Sequence, residues 1–165
     1  MRSRSSAAYS NFCAFDAVSP KLVGTDEVIL LGYVYKPGLK RDLETAVDSV
    51  KRIEIVENQI EVLPPSLDDD EIRVEVFKAI YGHPSLKQYL PKDSKAGAFG
   101  DNIAVSVDGE FFPRGPHPIQ ILVKSGNVAL IGRVSTPSHR QIADTQAKSV
   151  PGVNSVETYL RVASK

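Results

Sequence analysis

Residues 28–37 read VILLGYVYKP and residues 128–137 read VALIGRVSTP, one hundred positions apart, with apolar, glycine and proline letters in the same places. Sliding residues 22–62 onto 122–162 without a gap gives 13 identities in 41 positions: Leu22, Val23, Val28, Leu30, Gly32, Val34, Pro37, Thr45, Ser49, Val50, Val56, Glu57 and Val62 with their partners. Unrelated segments would share roughly three. Two copies at so wide a spacing do not make a solenoid. They predict one small domain used twice, and in 165 residues each copy has only a marginal core of its own.

Each copy reads as strand, strand, helix, strand. In the second, IQILVKSGNVALIGRV is two β-rich runs broken by Ser125, Gly126 and Asn127, a tight-hairpin composition. In the first, the break falls at Gly24, Thr25, Asp26 and Glu27. Alternation puts Val28, Leu30, Gly32 and Val34 on one face, and Val128, Leu130, Gly132 and Val134 likewise. Pro37 and Pro137 end these strands, since proline cannot donate to a ladder. Leu39, Leu43, Ala46, Val47 and Val50 then recur at helical spacing, as do Ala143, Ala147 and Val150. Gly32 and Gly132 lie on the inward face where that helix must cross, so both are expected to let it approach the sheet closely.

Pro64 and Pro65 separate the copies, giving a first repeat over residues 12–64 and a second over 66–165. Ile72, Val76, Ala79 and Ile80 form a helical stripe between them, with Gly82 and Pro84 as its stop. Residues 66–70 make its acidic start, with Asp68 and Glu71 at capping-box spacing. The second copy therefore has a helix before its hairpin. The matching helix of the first copy, around residues 3–13, is expected to be short, degraded or missing, because SRSSAAYSNFC carries no convincing stripe.

The order helix, two strands, helix, strand, with V-x-L-x-G-x-V and a closing VPGVNSVETYLRV, resembles the BON domain (bacterial osmotic-stress and nodulation). SGNVALIGRVSTPSHRQIADTQAKSVPGVNSVETYLRV carries the resemblance closely, and TDEVILLGYVYKPGLKRDLETAVDSVKRIEIVENQIEVL carries it well. The resemblance implies an α+β fold of two BON-like repeats, each a small three-stranded mixed sheet with helices packed on one face. It also implies a non-catalytic module of bacterial envelopes or periplasm, linked to stress, that binds phospholipid membranes or envelope proteins. The motif residues Gly32, Gly132, Pro37 and Pro137 are structural; they identify the fold and no binding site.

Chemistry-bearing patterns are sparse, so no enzyme, cofactor or metal is expected. His83, His117 and His139 lack metal-ligand spacing and are expected at the surface or as caps. Residues 68–71 lack the alternating ligands and central glycine of a calcium loop. Gly97 and Gly100 do not make a phosphate-binding glycine pattern, and Cys13 reads as a small buried hydrophobe. With 20 basic and 20 acidic residues no global field recruits nucleic acid. The N-terminus shows no secretory apolar stretch, and the longest apolar run is too short to span a bilayer.

The second copy carries an insert at about residues 89–117, where Asp108 and Gly109 are expected to turn a small hairpin. Phe111 and Phe112 cannot both face one sheet interior. With Phe99, Lys92, Lys95 and Arg114 they are the candidate lipid or partner contact, an apolar tip with basic flanks. The competing expectation is that the rings pack against the neighbouring repeat. A second functional class is structural: Ile29, Leu31, Tyr33 and Tyr35 make the outer sheet face of the first copy apolar, suited to repeat-repeat packing or to a homo-oligomer.

Overall fold

The computed structural model describes residues 12–90, 104–105, 111–113 and 117–164. Its fold class is α+β, with two compact units that divide between Pro64 and Pro65. Cys13–Phe15 belong with the second unit, not with the repeat that follows them in the chain.

In the first unit β1 (Ala17–Val23) runs antiparallel to β2 (Glu27–Val34), and β3 (Ile55–Asn58) and β4 (Glu61–Val62) run parallel to β2. α1 (Pro37–Asp48) starts with proline in its first turn, where a missing N–H costs nothing. The last strand is broken by Asn58, whose side chain donates to the Lys40 carbonyl at 3.0 Å and accepts from the Ile60 N–H at 3.2 Å. Val28, Leu30, Val34, Leu39 and Ile60 form the core, with Phe12, Val18, Leu43 and Val47 packed around it.

The second unit repeats the plan. Its sheet has the order β7-β8-β9 (Ile119–Lys124, Asn127–Val134, Ser155–Val162), antiparallel then parallel. α2 (Leu67–Tyr81) and α3 (Pro137–Lys148) pack on one face. A 3-10 turn (Lys87–Tyr89) follows α2, and a two-stranded pair, β5 (Ala104–Val105) with β6 (Phe111–Phe112), precedes β7. The expected hairpin pairing is therefore present, while its turn at residues 108–109 lies outside the described residues. So does the segment where a leading helix of the first copy was expected, apart from Phe12 and Cys13.

Strand register alters the repeat alignment in one place. Val23 pairs with Glu27 across a three-residue turn, whereas Lys124 pairs with Asn127 across two. Ser125 and Gly126 both have positive φ, 52° and 76°, as a two-residue hairpin turn requires. The first copy is thus one residue longer here, and Leu22 corresponds to Val123, not to the identical Leu122. Both face the same neighbour in β2 or β8, Val28 and Val128.

The two motif glycines do not serve helix approach. A Cβ on Gly32 would lie 2.0 Å from the Ala17 carbonyl oxygen, and one on Gly132 would lie 1.9 Å from that of Pro118. Their φ angles are 122° and 137°. The crowding comes from the adjacent strand, because the backbone kinks at the glycine and the neighbouring chain closes over it. The expected capping box is also corrected. Ser66 is the N-cap of α2, its hydroxyl accepting from the Asp69 N–H at 3.2 Å.

Candidate functional site

α2 seals the second sheet. Ile72, Val76, Phe77 and Ile80 are buried, as are Ile119, Ile121 and Val123 on β7. Polar ties fix its position. Asp69 accepts from the N–H groups of Ser125 and Gly126, both at 2.9 Å. Arg73, itself buried, donates to the Val123 carbonyl at 2.7 Å and pairs with Asp70 at 2.5 Å. The Tyr81 hydroxyl donates to the Ile119 carbonyl and accepts from its N–H, at 2.7 and 3.0 Å. Burial pushes the Tyr81 pKa up, against the opposing pull of the Ile119 backbone bond. The open flank of α2 carries Asp68, Glu71 and Glu75, which with Ile72, Pro151 and Gly152 line a groove of about 550 Å³.

The free edge of β7 is occupied too. Ala14 accepts from the Ile121 N–H at 2.8 Å and donates to the Pro113 carbonyl at 3.1 Å. Cys13, Ala14 and Phe15 are buried in this unit, and the Phe15 ring meets Phe77 edge-on. Cys13 is thus the small buried hydrophobe that its sequence suggests.

In the first unit the corresponding positions are less covered, half-buried at Val18 and exposed at Pro20 and Leu22. Register equates Val18, Pro20 and Leu22 with Ile119, Ile121 and Val123. Leu22 is 60% exposed where Val123 is 0%, and Val50 is 49% exposed where Val150 is 8%. No helix among the described residues covers this row. Lys51 and Arg52, both exposed, stand where Pro151 and Gly152 stand in the second copy. Pro20 occupies the position of Ile121, so the edge of β1 lacks the very N–H that binds Ala14 on β7. The first unit therefore presents, beside α1, a row on β1 that no helix among the described residues covers, and an edge that resists strand addition.

A second pair of equivalent residues ties helix to last strand in both copies. Asn58 donates to Glu44 at 2.8 Å, and Thr158 to Asp144 at 2.9 Å. Burial would push the Asp144 carboxyl up, but hydrogen bonds from Lys148 and Thr158 and the charges of Lys148 and Arg140 hold it below its ordinary value. Sequence alignment shows the positions but not the bond.

The sequence-derived site residues fare unevenly. Lys92, Lys95, Phe99 and Arg114 lie outside the described residues; Phe111 and Phe112 are placed by backbone alone, opposite Val105 and Ala104. His117 is not at the surface: it is buried, its ring edge-on to Phe77 and Tyr81 at 5.6 and 5.5 Å. His83 and His139 do serve local roles, His83 Nδ1 accepting from the Ser85 N–H and His139 Nδ1 meeting the Tyr89 hydroxyl at 2.6 Å. Leu31 on the outer face is 36% exposed, while Ile29, Tyr33 and Tyr35 are half-buried. Among the described residues no three His, Cys, Asp or Glu side chains converge as a metal site, and no helix is long and apolar enough to cross a membrane.

Residues 101–164 match the BON domain family. No curated protein matches the chain. Among solved structures, the C-terminal domain of CdsD, the structural protein of the type III secretion system of Chlamydia trachomatis, is similar over 89% of this chain and 90% of that one. Identity there is 12% and the TM-score 0.27, so the likeness carries nothing about partners. The match covers the second repeat, which is similar to the BON domain over residues 101–164.

Proposed function

We propose that the chain is a non-catalytic docking module of the bacterial envelope, holding phospholipid headgroups or an envelope protein. The observation that carries this is the contrast between sibling units. One apolar row is sealed by α2, while its counterpart, with Leu22 and Val50 exposed and Lys51 and Arg52 on its rim, is left for a partner. An apolar row with a basic rim suits anionic surfaces. The insert residues Lys92, Lys95, Phe99, Phe111, Phe112 and Arg114 are the proposed lipid contact, because they combine rings and cations in a stretch that the repeat does not require.

The full chain is expected to pellet with vesicles rich in anionic phospholipid at low salt. The pelleted share should fall when salt shortens the screening length to about 3 Å at 1 M. Pelleting that ignores both salt and headgroup charge, or none at low salt, contradicts the lipid arm of the proposal.

A further inference from the structure

We propose that the open row of the first unit receives an amphipathic helix from another protein, with carboxylates along one flank, in the place that α2 takes in the second unit. This rests on the reading of the chain as a docking module and names the partner's chemistry. The second unit shows what covers this row: a helix whose buried stripe is Ile72, Val76, Phe77 and Ile80, lying over Ile119, Ile121 and Val123. In the first unit the same row ends in Leu22, 60% exposed, beside Val50, 49% exposed.

Charge says which helix. The acidic flank of α2, Asp68, Glu71 and Glu75, faces the loop at Pro151 and Gly152. The equivalent loop positions in the first unit are Lys51 and Arg52, both exposed. A helix laid down in the α2 orientation would thus bring carboxylates against two cations where the second copy has none. Strand addition is disfavoured, because Pro20 removes the edge donor that Ile121 supplies in the second unit. Half-buried Leu43 and Val47 stand where Ala143 and Ala147 are fully buried in the second unit, so the incoming helix would lie against larger side chains. A second copy of this chain is a poor donor: its α2 is already committed, with Ile72, Val76, Phe77 and Ile80 buried in its own unit.

The test uses a fluorescent synthetic peptide of residues 66–82, SLDDDEIRVEVFKAIYG, titrated with the full-length chain. Anisotropy should show saturable binding that weakens about tenfold in the Lys51→Glu, Arg52→Glu double variant. Leu22→Asp should weaken it at least as much, and neither change should disturb the fold, since all three residues are exposed. A peptide with its acidic residues changed to Lys should reverse the order, preferring the double variant. Binding insensitive to Leu22 and to charge at 51 and 52 overturns the proposal. So does a dimer by light scattering that Leu22→Asp dissociates, which would make a second copy the occupant. A chain that pellets with anionic vesicles yet ignores the peptide overturns the helix and leaves the docking module standing; a chain that does neither overturns both.

Discussion

Gly132→Ala and Gly132→Val are expected to destabilise the second unit alike, by at least about 3 kcal/mol, because the first atom of any side chain is the offending one. At φ 137° the added Cβ would lie 1.9 Å from the Pro118 carbonyl oxygen. In a unit of this size that cost lowers the melting temperature by more than about 10 °C. The comparison of Ala with Val separates two explanations. If the glycine made room for a helix, alanine would be nearly harmless and valine would not. Calorimetry of both variants decides it: an alanine variant melting within two or three degrees (about half a kcal/mol) of wild type contradicts strand crowding.

Asp69→Ala is the second large loss. The carboxylate is 5% exposed and accepts two N–H bonds from the β7–β8 turn while sitting in the first turn of α2. Removing it leaves the Ser125 and Gly126 donors without that acceptor and takes a negative charge from a helix N-terminus. A cost of about 2–4 kcal/mol follows. Asp69→Asn, which keeps one acceptor, should lose roughly half as much. Denaturant titration measures both, and amide exchange at Gly126 should quicken in step. An Asp69→Ala chain as stable as wild type would show that α2 is held without the Asp69 tie.

The repeat, the strand order and the α2 stripe were legible because they rest on periodicity, which a chain displays without its partners. Three things were not. The hairpin of the first copy is one residue longer, so the identities at Leu22 and Val23 are accidents of an ungapped slide, and Leu22 answers to Val123. A turn length leaves no mark on periodicity when both options contain glycine. The neighbour that crowds each glycine is the second: alternation gives the face of a residue but not the φ angle that brings the next strand over it. The open row of the first unit is foreshadowed in the sequence only by the weak apolar stripe of SRSSAAYSNFC. Its basic rim at Lys51 and Arg52 becomes visible once Pro151 and Gly152 are seen lining the acidic groove. The candidate lipid residues at 92–114 come from composition, and the described structure places only the backbone of Phe111 and Phe112.

The central claim is that two copies of one design differ in whether their equivalent row is covered. Thiol alkylation of Leu22→Cys and Val123→Cys chains tests it, Cys13 being buried and a slow background. Leu22→Cys in the native protein should react at least about a hundredfold faster than Val123→Cys, whose modification must wait for opening of the second unit. Equal rates, or a protected Leu22→Cys, would mean that the chain covers both rows itself and would contradict the account.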